Sequence, residues 1–210
     1  MLRRLFLSRF AGAPVLFGLG GQASAAPAAP ARFEALRHTN DDWLDQLPGR
    51  HRVVFDTWTA AEFQNAVQFA GNYFRGNNDG YSLAEKELAL VITVRHHTAP
   101  FAFSDALWAK YGTHFSKRMS FVDPATKEAP STNIYGRQLS NLIKQGVHMA
   151  VCNLTTRAYT RIIAEATGKP EDEVYKELTT GTLGNSHFVP AGVVGVTRAQ
   201  ERGYALVSVG

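Results

Sequence analysis

The chain has 210 residues, with 22 lysines and arginines against 18 aspartates and glutamates, a formal net charge of +4, and 45% hydrophobic residues. That hydrophobic share suits a globular fold, and the single cysteine, Cys152, excludes an intrachain disulfide. No stripe of lysine and arginine with interleaved aromatics occurs, which argues against nucleic acid as the main partner.

Residues 1–25 have the three parts of a secretory signal: Arg3, Arg4 and Arg9 with no acid, then an apolar stretch, then small residues ending in Ala23-Ser24-Ala25. Arg3-Arg4-Leu5-Phe6-Leu7 fits the core of a signal read by the twin-arginine translocase, which moves folded proteins, although Leu2 stands where a serine usually precedes the pair. The apolar stretch from Phe10 to Gly20 is diluted by Gly12, Pro14, Gly18 and Gly20 and falls short of the ~20 residues of a transmembrane helix, so no permanent membrane anchor is expected. An amphipathic helix belonging to the fold would need a capped start and a polar face, and the segment has neither. The expected product is periplasmic or otherwise exported, and removing three arginines and no acid lowers the formal charge from +4 to +1. Residues 26–49, which open rich in alanine and proline, read as a flexible leader, and 50–210 as one domain.

His51–Asp56 is a short β-branched and aromatic run, and Thr59 is placed to cap a helix whose apolar positions Phe63, Ala66, Val67, Ala70 and Phe74 recur every three or four residues. The polar run Arg75–Gly80 is expected to stop that helix. Leu88–Val94 is apolar throughout, as in a strand buried on both faces of a parallel sheet. Ser104 is placed to cap a short helix to Tyr111, and His114–Thr132, with Pro124 and Pro130, reads as an irregular excursion suited to a mobile or partner-contacting role.

Ile134–Gln145 predicts a helix closed by Gly146, Val147–Val151 a third strand, and the residues after Cys152-Asn153 a helix to Thr167 closed by Gly168. Pro170 and its three following acids open another helix. His187–Val189 predicts a fourth strand, Pro190-Ala-Gly192 leads into a helix to Arg202, and Tyr204–Val209 is a last strand. Strands alternating with helices predict an α/β fold, a three-layer α/β/α sandwich on a mainly parallel sheet of about five strands.

Ligands of such folds sit outside the carboxyl ends of the strands. Those ends deliver Asp56, Thr57 and Trp58, then Arg95, His96 and His97, then Cys152 and Asn153, then Asn185, His187 and Pro190. Cys152 stands between a strand and a helix, where exposed amides and the positive end of the helix dipole favour a thiolate, with Arg157 one turn on. A small hydrophobe packed at a strand end is the other reading of such a cysteine, and position alone does not separate the two. His96 and His97 invite a metal, but adjacent strand-end residues point to opposite sides, and neither an H-x-x-x-H spacing nor a zinc-type Cys/His cluster occurs. Site-lining or hydrogen-bonding histidine is therefore favoured over metal ligand, and His187 reads the same way. His38, His51, His114 and His148 are expected to be structural or surface groups. With no glycine-rich phosphate loop, G-x-S-x-G elbow or paired carboxylates, no cofactor is expected.

Two segments resemble the DsrE/DsrF-like family of small α/β sulfur-relay proteins. Gly146-Val-His-Met-Ala-Val-Cys152-Asn153 is similar to that family's glycine, strand and cysteine segment, and Val189-Pro190-Ala191-Gly192 through Arg202-Gly203-Tyr204 to Val209 resembles its closing helix and strand. The resemblance implies a parallel sheet flanked by helices, assembly into oligomers, and a strand-end cysteine that takes up sulfur as a persulfide and passes it on. Cys152 matches that cysteine; Asn153, Thr155, Arg157, Asn185 and the histidines His96, His97 and His187 are the expected pocket. The implied partners are further copies of the chain and a sulfur donor or acceptor protein. The export signal, the His96-His97 pair and the long central excursion depart from the family pattern. The competing expectation is a non-catalytic module that holds a small ligand or metal through His96, His97 and His187.

Overall fold

The computed structural model describes residues 34–210; the expected signal peptide and the leader up to residue 33 lie outside the described residues. Five strands, β1 (His51–Thr57), β2 (Leu88–Val94), β3 (Val147–Cys152), β4 (Ser186–Val189) and β5 (Ala205–Val207), form one sheet in the order β4-β3-β2-β1-β5. Every pairing is parallel, with Val53 opposite Leu90 and Leu90 opposite Val147. The helices are α1 (Trp43–Gln46), α2 (Ala60–Tyr81), α3 (Asp105–Met119), α4 (Gly136–Lys144), α5 (Asn153–Thr167), α6 (Glu171–Thr180) and α7 (Gly192–Gln200).

The two-residue period of the strands divides the core. Val53, Phe55, Leu90, Ile92, Val94, Val147, Met149 and Val151 face one way and pack with apolar residues of α2 to α6. Val54, Ala89, Val91, Ala150 and Val189 face the other way, against Ala199 of α7 and Leu44 of α1. The architecture is thus the three-layer α/β/α sandwich that the alternation of elements predicts.

Beyond shifts of one or two residues at other element ends, three boundaries differ from the sequence reading. Helix α2 runs through Arg75–Gly80 to Tyr81 and ends at Ser82 with φ 55°. Its start is fixed by a capping box, with Thr59 Oγ1 accepting from Glu62 N and Glu62 Oε2 accepting from Thr59 N. Buried Phe74 anchors the middle, and Gly76, Asn78 and Gly80 then lie in solvent, where the cost of glycine near ~1 kcal/mol each does not break an anchored helix. Helix α3 runs eight residues past Tyr111, because Phe115 and Met119 continue the buried stripe of Trp108 and Tyr111. Only the remainder of the excursion is irregular, and it is fastened at its far end. The Asn133 amide donates to Phe101 O and Phe103 O, and its Oδ1 accepts from Tyr135 N.

The third difference is the stretch assigned to a leader. A 3₁₀ turn at Thr39–Asp41 and helix α1 follow Leu36, and Leu44 is 1% exposed. Leu44 O accepts from both Arg52 Nη1 and Tyr204 Oη, while Asp45 pairs with buried Arg202. Residues 35–49 therefore belong to the domain. Few residues cover the α7 face of the sheet, so Leu44 and Leu47 supply part of its burial.

Candidate functional site

The carboxyl ends of β1, β2 and β3 and the start of α7 enclose a cleft of about 330 Å³, lined by Trp58, Arg95, His96, Cys152, Leu154, Thr155, Ala191, Gly192 and Val193. Cys152 ends β3 and is the N-cap of α5, and it lies on the α7 face of the sheet opposite Val189. Its side chain is 5% exposed at the floor of the cleft. Thr155 Oγ1 donates to Cys152 Sγ at 3.3 Å and accepts the backbone N–H of His96 at 3.1 Å. The short strand-to-helix step makes this possible, since Thr155 falls one turn into α5.

The loop after β2 is closed on itself. The Thr98 hydroxyl accepts from Arg95 N at 3.0 Å and donates to Arg95 O at 2.8 Å, and His97 N donates to Trp58 O. His96 takes the left-handed conformation, φ 53°, and its ring lies 6.0 Å from Trp58 and 4.0 Å from His97. Burial first, then the neighbouring His97, Arg118 and Arg95, hold the His96 imidazole below its ordinary pKa. Arg95 is raised by a bidentate pair with Asp56, both contacts at 2.8 Å, and its guanidinium lies 5.6 Å from the Trp58 ring. Gly192 allows α7 to approach, for a Cβ there would stand 2.6 Å from the Arg95 Cβ.

Among the residues expected to form the site, Cys152, His96 and Thr155 share the cleft, with His97 beside His96. The others turn elsewhere. Asn153 Oδ1 accepts from Tyr175 Oη at 2.7 Å and the Arg157 guanidinium lies 4.4 Å from the Tyr175 ring, so both fasten α5 to α6. Asn185, at φ 54°, donates to Ile143 O and Val147 O at the opposite end of the sheet. His187 pairs with His148: Nε2 of the first and Nδ1 of the second are 2.9 Å apart. The Trp43 ring stacks on His187 at 4.0 Å and 4°. Burial lowers both imidazoles, His148 to about 4 with His187 contributing beside it. The three histidines of the binding-module expectation therefore do not converge. Among the described residues no group of three or more His, Cys, Asp or Glu is arranged around a common point.

Sequence reasoning missed Leu154, Gly192 and Val193. Leu154 and Val193 are 65% and 56% exposed at the rim, and with Trp58 they make it apolar. Apolar residues exposed at helix starts have no periodic signal, so only their convergence reveals them.

No family model matches the sequence, and no curated protein matches it. Among solved structures, the protein of unknown function MTH1491 from Methanobacterium thermoautotrophicum is similar, at 18% identity and a TM-score of 0.40, over 75% of this chain and 98% of that one.

Proposed function

We propose that the chain is an exported carrier that takes up sulfane sulfur on Cys152 as a persulfide and hands it to a partner. The observation that carries the reading is a lone thiol at the floor of an open cleft, at a helix N-terminus, with a hydroxyl donating to its sulfur. A helix N-terminus and a donated hydrogen bond are general means of stabilising anionic sulfur, thiolate and persulfide alike. The resemblance of the Gly146–Asn153 segment to sulfur-relay proteins supports the same chemistry, and the Arg3-Arg4 pair supports export by the twin-arginine route.

In the loading step the Cys152 thiolate attacks the terminal sulfur of a polysulfide. A bond forms between Sγ and that sulfur, the adjacent S–S bond of the donor breaks, and the shortened polysulfide leaves with the electron pair. Transfer reverses the roles, with an acceptor thiolate taking the outer sulfur and Cys152 departing as thiolate. The apolar rim of Trp58, Leu154 and Val193 suits contact with further copies or with the acceptor protein, and the buried sulfur is shielded from over-oxidation between the two steps.

Incubation with polysulfide followed by intact-mass measurement tests the reading. Wild type gains 32 Da per sulfur, about one atom, removable by a thiol reductant, and Cys152→Ser gains none. An unlabelled wild type, or equal labelling of the serine variant, overturns it.

A further inference from the structure

The strongest feature outside the cleft is the pair His148–His187 with Trp43. His148 on β3 and His187 on β4 lie on the α7 face of neighbouring strands, and their rings are nearly parallel, 20° apart with centroids at 5.1 Å. Both imidazoles are partly buried, and His148 Nδ1 and His187 Nε2 face one another across 2.9 Å. A hydrogen bond uses one ring proton and explains the pair. It does not explain Trp43, whose Nε1–H is buried in the indole stacked on His187 and has no acceptor. A buried donor without an acceptor costs about 1–3 kcal/mol and points to a missing oxygen.

We propose that His148 Nδ1 and His187 Nε2 bind a borderline divalent cation, Zn²⁺ or Cu²⁺, whose remaining positions are taken by water, and that Trp43 Nε1 donates to one of those waters. Metal–nitrogen bonds of about 2.0–2.1 Å in tetrahedral geometry place two ligand nitrogens roughly 3.3 Å apart. Binding opens the pair by about 0.4 Å and turns each ring so that its lone pair meets the ion beside the N–N line rather than along it. Imidazole selects zinc and copper over magnesium or calcium, and the ion takes the place of the proton that bridges the pair, which shifts to the other nitrogen of its own ring. Two strands of one ladder hold the two rings side by side, and the indole stacks on His187. Two protein ligands leave the ion open to exchange, which fits a site that acquires and releases metal rather than one that holds the fold together. It is independent of Cys152, which lies two residues beyond the His187 register position on β3.

The full-length protein, stripped with chelator, is titrated with Zn²⁺ while the histidine ring nitrogens are followed by long-range ¹⁵N–¹H correlation. At one equivalent, His148 Nδ1 and His187 Nε2 move together, while His38, His51 and His114 stay in place. Cu²⁺ quenches Trp43 fluorescence with the same stoichiometry; Trp43→Phe removes that quenching and keeps binding. His187→Gln loses the one-to-one site, and Cys152→Ser retains it. Unchanged His148 and His187 nitrogens in wild type at one equivalent overturn the proposal without reliance on any variant. So does metal binding that Cys152→Ser abolishes.

Discussion

The hydroxyl of Thr155 joins two elements at the candidate site: it donates to Cys152 Sγ at 3.3 Å and accepts the N–H of His96 at 3.1 Å. One atom thus sets both the sulfur and the loop that forms the wall of the cleft. Thr155→Val keeps the shape, removes a hydrogen bond to sulfur and leaves the His96 N–H without its acceptor. Loss of that hydrogen bond predicts alkylation of Cys152 by iodoacetamide about threefold slower at fixed pH, with Thr155→Ser close to wild type. Equal rates for valine and serine would mean that the contact does not act on the sulfur.

Helix α1 gives a second prediction. Leu44 is buried between Tyr204, Arg52 and the sheet, so Leu44→Ala removes apolar packing and opens a cavity. Urea denaturation is expected to show a loss of about 3 kcal/mol. A loss below about 0.5 kcal/mol would return residues 35–49 to the role of leader.

The contact between α3 and the irregular stretch is tight at one point. A Cβ on Gly112 would stand 2.1 Å from the carbonyl oxygen of Pro130, and backbone atoms on both sides leave no flexible group to yield. Gly112→Ala is expected to cost about 3 kcal/mol, or to displace the stretch and raise its hydrogen exchange.

Acid stability is expected to depend on Glu177. The Lys110 ammonium beside it, together with Tyr111 and Lys169, holds its carboxyl down to about 2, against an ordinary 4.5. Because the folded pKa is depressed, the stabilisation is fully present above pH 4.5 and is lost as pH falls from there toward 2. The groups are partly exposed, so its size is modest, about 1 kcal/mol. Glu177→Gln should melt at lower temperature than wild type at pH 7, the two curves converging near pH 2; a constant gap across that range would exclude titration of Glu177 as the cause.

Much of the fold was legible because its signals are local. The apolar run Leu88–Val94, the glycines at 146, 168 and 203, and the alternation of strand and helix each follow from backbone sterics or from burial on one face. The end of α2 was not legible, because anchoring by Phe74 outweighs the weak helix preference of the Gly/Asn run. Nor was α1, four residues long, whose stability rests on Arg52, Tyr204 and Arg202 from distant parts of the chain.

The sequence alone determined that Cys152 follows a buried strand and opens a helix, since periodicity and chain order fix both. Which residues gather round it was decided by tertiary structure. Thr155 reaches the sulfur because it falls one turn into α5, and His96 meets Thr155 at the same cleft because β2 lies beside β3. Asn153 and Arg157, as near in sequence, are drawn to Tyr175, and His187 to His148 and Trp43. Residue type fixes what a side chain can bind. The partners it meets depend on strand order and the facing of each helix, and these are set by burial summed over the whole chain.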